Sequence, residues 1–193
     1  MKILIAGGAG FIGHNLSVAL EALGHSILIV DIQTDYGVIP PREFWITTSN
    51  RQKFMSQNKL RAPVYENIKN TKGIARVIEK YEPDIIVNLA AFSRVKLVQH
   101  DPVMACDSLI KGVYNLLYGG QGIIERFVHV SSSMVYGDWP SGGHFYGMRE
   151  DWNQMQPKSD YGILKLASEG IVKRYCNEYN VEYTIVRPSA VYG

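Results

Sequence analysis

Tyr161 and Lys165 stand four residues apart in Tyr161-Gly162-Ile163-Leu164-Lys165. On a helix, residues at i and i+4 share a face, so the phenol and the ammonium can reach one point. A cation beside a phenol favours the phenolate, which is expected to pull the pKa below its reference of about 10. Such a phenol can trade protons with an alcohol near neutrality. A serine hydroxyl could hold the same oxygen, and Ser131-Ser132-Ser133 follows the apolar, strand-length run Arg126-Phe127-Val128-His129-Val130. Serines at a strand end are commonly turn formers, so their role depends on what stands beside them.

The start of the chain decides that question. Met1-Lys2-Ile3-Leu4-Ile5-Ala6 reads as a short buried strand, followed at once by Gly7-Gly8-Ala9-Gly10-Phe11-Ile12-Gly13. Whether read from Gly7 or Gly8, the glycines allow a tight turn, close approach of backbone amides to a pyrophosphate, and packing of the next helix on the sheet. Leu16, Val18, Ala19, Leu20 and Leu23 give residues 11–23 an apolar helical face that Gly24 closes. Ser26-Ile27-Leu28-Ile29-Val30-Asp31 is then a second strand ending in an acid. An acid there can hold a ribose diol and would repel a 2′-phosphate, which predicts NAD rather than NADP. Lys2 before an apolar stretch imitates a secretion signal, but the stretch runs into a strand-loop-helix-strand unit that the fold needs, so no cleavage is expected.

The elements that must position these groups alternate along the chain. Residues 62–65, 84–90, 126–131 and 183–187 read as further strands, and residues 71–81, 102–118 and 159–179 as helices, with a short helix somewhere in the irregular stretch 32–61. Strands alternating with helices predict an α/β fold: a doubly wound parallel sheet covered on both faces, in the Rossmann order 3-2-1-4-5-6, with ligands at the carboxyl ends of the strands. At 193 residues and 46% hydrophobic content the chain suits a single domain. A net charge of +2 from interspersed signs gives no footprint for nucleic acid. Cys106 and Cys176 are the two cysteines; neither a disulfide framework nor a metal centre is expected, and the compartment is expected to be the reducing cytoplasm. No stretch approaches the length of a membrane span.

Taken together, residues 7–13, Asn88-Leu89-Ala90-Ala91, residues 131–137, residues 161–165 and Arg187-Pro188-Ser189-Ala190-Val191-Tyr192-Gly193 resemble, in order and spacing, the extended short-chain dehydrogenase/reductases. The resemblance covers essentially the whole chain and is nearest to the NAD-dependent epimerase/dehydratase branch that acts on nucleotide sugars. It implies Tyr161 as acid/base, Ser132 as the catalytic hydroxyl, and Lys165 on the nicotinamide ribose. The implied cofactor contacts are Gly7, Gly10, Phe11, Ile12, Gly13, Asp31, Asn67, Ile68, Leu89, Ala90, Ala91 and Pro188, besides Tyr161 and Lys165. The implied reaction removes a hydroxyl proton through Tyr161 while NAD+ takes a hydride from the same carbon, leaving a keto sugar that is later reduced again. A homodimer packed through the helices at 102–118 and 159–179 is also implied.

Departures from the pattern bear on which reaction is expected. Dehydratases of the branch place an Asp-Glu pair just after the catalytic Ser/Thr, where this chain has Ser133 and Met134; an epimerase is therefore expected over a 4,6-dehydratase. Leu109 stands where the branch has an active-site asparagine, Ala190 where an asparagine often meets the substrate, and Glu66-Asn67-Ile68 where Gly-Asp-Ile is usual. Arg94, Lys96 and His100 could face an anionic substrate or simply solvent. The chain stops where a smaller substrate-binding domain is expected to begin, as a truncated piece or a natural short form. Three readings stay open: a nucleotide-sugar epimerase or its cofactor-binding portion, a reductase of a smaller carbonyl, and an NAD-binding module without turnover.

Overall fold

Six parallel strands form one sheet: β1 (Lys2–Ala6), β2 (Ser26–Asp31), β3 (Val64–Tyr65), β4 (Ile85–Asn88), β5 (Arg126–Val130) and β6 (Glu182–Val186), in the order β3-β2-β1-β4-β5-β6. This computed structural model describes residues 1–34, 36, 40–92, 95–138, 149–151 and 154–192. β1 is central because its side chains are buried on both faces, from Ile3 through Ala6, as a parallel sheet covered by helices requires. It pairs with β2 along one edge (Ile3↔Ile27, Ile5↔Ile29) and with β4 along the other (Ile3↔Ile85, Ile5↔Val87). The strand order therefore reverses at β1, the place where such sheets bind ligands.

The helices are α1 (Phe11–Ala22), α2 (Pro41–Gln57), α3 (Thr71–Tyr81), α4 (Val95–His100), α5 (Pro102–Cys106), α6 (Gly112–Gly119) and α7 (Asp160–Tyr179). The largest apolar cluster joins Leu4, Ile86 and Phe127 of the sheet to Ile74 and Ile78 of α3, Val113 and Leu116 of α6, and Val172 and Tyr175 of α7. On the other face Ile3, Ile5 and Val87 pack with Leu16 and Leu20 of α1. Among the described residues no helix is long and apolar enough to cross a membrane, and no group of three or more His, Cys, Asp or Glu side chains could hold a metal ion.

The predicted strand order and alternation are those observed, with local differences. The third strand shrinks to two residues at the sheet edge. The irregular stretch contains a 17-residue helix, α2, which starts on Pro41 and buries only Thr48 and Met55; so thin a buried stripe leaves little periodicity to read. The helix expected at 102–118 is three pieces, because a π-helical turn, Asp107–Lys111, interrupts it. Just after that turn, Gly112 leaves room for Ile68, whose Cδ1 would lie 2.5 Å from a Cβ there.

Candidate active site

β1 delivers the chain into the glycine loop at the carboxyl edge of the sheet. Gly7 adopts φ +78°, and a Cβ on it would lie 2.7 Å from the Ala90 amide nitrogen. A Cβ on Gly13 would press on the backbone of Gly7 and Gly8. The loop, the segment after β4 and the first turn of α1 thus meet backbone to backbone, which only glycine permits. Gly10 caps α1 without a side-chain hydrogen bond, and no acidic residue occupies the first turn. The first amides of α1 are left for a ligand, and an anion suits them.

Asp31, at the tip of β2, accepts a hydrogen bond from the Ala9 amide at 3.0 Å and from the Gln33 amide at 2.6 Å. Burial raises its pKa, while these backbone donors and the charge of Arg51 oppose the rise. The carboxylate therefore anchors the glycine loop to β2, and each oxygen keeps a lone-pair site for a ribose hydroxyl. Asn67 accepts from the Lys69 amide at 3.0 Å and so shapes the turn beside the same cavity.

At the other end, Ser159 caps α7 by accepting from the Gly162 amide at 3.2 Å. That fixes the first turn, which carries Tyr161, 9% exposed, while Lys165, 3% exposed, follows on the same face. Lys165 Nζ donates to the Val130 carbonyl at 2.7 Å and lies 5.9 Å from the centre of the Tyr161 ring. Burial brings the lysine pKa down to about 8, opposed by the Glu169 charge. The Tyr161 pKa is raised, not lowered: burial outweighs the nearby Ser132 hydroxyl, which pulls the other way. The depression expected from Lys165 fails because the ammonium is bonded to a carbonyl in the strand behind it rather than to the phenol. Ser132 Oγ accepts from the Met134 amide at 3.2 Å and holds the 3-10 turn Ser133–Val135.

One cavity of about 750 Å³ takes in both ends. It is lined by every residue that the sequence marked for catalysis or cofactor contact: Ser132, Tyr161 and Lys165 together with Gly7, Gly10, Phe11, Ile12, Gly13, Asp31, Asn67, Ile68, Leu89, Ala90, Ala91 and Pro188. Ser133, Met134 and Ala190 line it too. Lys96 and His100 are exposed on α4 and do not line it, so for them solvent is the observed neighbour. Arg94 and Gly193 lie outside the described residues. Leu109 is buried in an apolar cluster with Tyr161, Phe92 and Val98, and its neighbour Ser108 reaches the cavity instead. Sequence reasoning missed Ser108 and also Tyr36, another lining residue. The π turn shifts the helical register by one position, and no residue pattern announced it.

The residues fit an adenine dinucleotide by shape: a glycine cradle that a Cβ would fill, free helix amides, a half-buried acid at one end and a buried Tyr-Lys pair at the other. Residues 3–193 match the profile of the NAD dependent epimerase/dehydratase family. Protein CapI of Staphylococcus aureus is 31% identical over 194 residues, covering 100% of this chain and 55% of that protein. A dTDP-glucose 4,6-dehydratase of Escherichia coli is 26% identical, covering 100% of this chain and 55% of its own length. The crystal structure of UDP-glucuronic acid 4-epimerase from Bacillus cereus, in complex with UDP-glucuronic acid and NAD, superposes with a TM-score of 0.83 at 28% identity, over 100% of this chain and 58% of that one. The chain thus spans about half the length of the proteins it matches.

Proposed function

The chain belongs to the NAD dependent epimerase/dehydratase family, and from that footing we propose that it is the cofactor-binding portion of a nucleotide-sugar epimerase, with residues 1–193 as one NAD-binding domain. The observation that carries this reading is the single cavity joining the glycine loop and Asp31 to Ser132, Tyr161 and Lys165. Bound NAD+ supplies a two-electron acceptor for the sugar carbon. The glycine loop and the α1 amides hold the pyrophosphate, Asp31 the adenosine ribose, and Lys165 the ribose nearer the reaction. With its pKa near 8, Lys165 is still an ammonium at neutral pH and donates hydrogen bonds.

Tyr161 exchanges the proton: protonated at rest because burial raises its pKa, it accepts from the sugar hydroxyl only once ionised and then returns the proton to the same oxygen. Ser132 holds that oxygen and favours the ionised phenol. Elimination of water would need an acid and a base besides Tyr161. Ser133 and Met134 supply neither, whereas epimerisation requires only reversible proton exchange at one oxygen. In a polypeptide carrying this chain and the further length its relatives possess, Tyr161→Phe should cut turnover of any accepted sugar nucleotide by about 10²–10⁴-fold. Proton NMR of the ring couplings reads the conversion, and unchanged turnover overturns the assignment. Net NADH oxidation with release of a reduced product would identify a reductase instead. A homodimer through α5, α6 and α7, in a reducing cytoplasm, completes the proposal: Val103, Tyr118 and Ile163 are exposed on those helices, and both cysteines are free thiols.

A further inference from the structure

The outer face of α2 has no part in the chemistry above, and no residue of that helix lines the cofactor cavity. Thr48 and Met55 turn inward, Met55 joining Ala9, Ile29 and Leu60 in an apolar cluster against Val18 of α1. Arg42, Ile46, Ser49 and Lys53, spaced by four and three residues, form the exposed stripe on the other side. Trp45, 64% exposed, stands along the edge of that stripe, and Ile46 is 51% exposed. Leaving two large apolar side chains together in water forgoes burial that would stabilise the fold. Phe54 extends the patch on one flank, edge to face with His14 at 5.8 Å. Charge gathers in the same place. Residues 41–65 hold five cations, Arg42, Arg51, Lys53, Lys59 and Arg61, against one acid, Glu43, a net +4 in a chain whose total is +2. The rest of the molecule is therefore net acidic. Arg51 is half-buried and feels the Asp31 charge. Arg42, Lys53, Lys59 and Arg61 are exposed, and no ion pair among the described residues engages them.

We propose that the outer face of α2 docks on an anionic lipid bilayer, Trp45 and Ile46 entering the headgroup layer while Arg42 and Lys53 meet lipid phosphates. Lys59 and Arg61, just past the helix, add to the attraction. Three observations select this occupant. Unpaired cations in excess call for a negatively charged surface. An indole is suited to the boundary between water and hydrocarbon, where its ring is covered and its N–H stays wet. The patch also stands on one outward-turned helix, against which a soft planar layer can close, whereas a folded partner would need a matching shape. Nucleic acid bases would stack on Trp45 but leave Ile46 unused. The helix lies along the bilayer and does not cross it, in keeping with its length and polarity.

Sedimentation of the whole chain with vesicles tests this, using phosphatidylcholine alone in one series and phosphatidylcholine mixed with phosphatidylglycerol in the other. The chain should sediment with the mixed vesicles, be released by high salt, and stay in solution beside phosphatidylcholine alone. Trp45→Ser should weaken binding about tenfold, and Arg42→Gln or Lys53→Gln about fivefold each. Lys80→Gln removes the same charge from an exposed position on α3, across the sheet, and should leave binding unchanged. All four side chains are exposed, so melting temperatures should match that of the unaltered chain. No sedimentation with either vesicle, or equal sedimentation with both, overturns the docking surface. Equal weakening by Lys80→Gln overturns it too, since overall charge rather than this face would then drive the contact. A doubled mass in light scattering that Trp45→Ser returns to one copy would give the face to a second copy of the chain and overturn the lipid assignment.

Discussion

His129 is buried behind Lys165 in a polar chain whose direction can be worked out. Ser168 donates its hydroxyl proton to the Lys165 carbonyl at 2.7 Å, so at 2.9 Å it accepts from His129 Nε2–H. The imidazole Nδ1 is then an acceptor, facing Asn88 Nδ2 at 3.4 Å. This arrangement needs a neutral ring, and burial together with the Lys165 charge lowers the histidine pKa to about 3. In the unfolded chain a histidine titrates near pH 6.5. Between about pH 6.5 and 3 the unfolded state thus binds more protons, and stability falls as pH falls through that window. Above it the contribution is complete. The slope from one proton is about 1.4 kcal/mol per pH unit. Urea denaturation at several pH values should therefore show His129→Gln losing stability toward acid less steeply than the unaltered chain. Equal slopes would mean that this ring does not carry the effect.

A buried charge pair ties α7 to the end of the sheet. Arg187, just past β6, donates from Nε and from one terminal nitrogen to the two oxygens of Glu169 at 2.9 and 2.7 Å, and from the other to Tyr136 Oη at 3.0 Å and the Glu150 carbonyl at 3.0 Å. Burial opposes ionisation of Glu169, but the Arg187 hydrogen bonds, the nearby Ser131 hydroxyl and the charges of Arg187 and Lys173 hold its pKa below the usual glutamate value. Removing one partner strands the other charge: Arg187→Met should destabilise the fold by about 3–5 kcal/mol, and Glu169→Gln in the same chain should recover part of it. A double-mutant cycle by denaturation measures this, and additive losses would show that the two groups are not coupled. Reading the sequence found α7 and its Tyr-x-x-x-Lys face because that information is local: an i, i+4 spacing on one helical face. It found the glycine loop for the same reason. It could not place Ser108 on the cavity, because the helix that carries it slips in register at the π turn, or find Lys165 bonded to Val130, because that contact joins residues far apart in sequence. The direction of the Tyr161 pKa was misjudged because spacing reports neighbours and says nothing of burial.

The sheet puts every such contact at one edge: the loops after β1, β2, β4 and β5 all open at the carboxyl ends of the strands, and one cavity runs beneath them. The covering helices α5, α6 and α7 leave large apolar side chains, Val103, Tyr118 and Ile163 among them, exposed. If two copies meet there, light scattering of the chain should give twice its 21.7 kDa mass, and Ile163→Lys should return it to one; a single-copy mass at high concentration removes the dimer. The central place of β1 has a consequence for how the protein is made. Its partner β2 follows at once, but β4 does not begin until Ile85. At ribosomal rates of about 5–20 residues per second, on the order of 3–10 s pass between the two. Throughout that interval the nascent polypeptide carries an oily, unpaired flank of Ile3, Leu4 and Ile5, the segment a chaperone would have most reason to shield during translation.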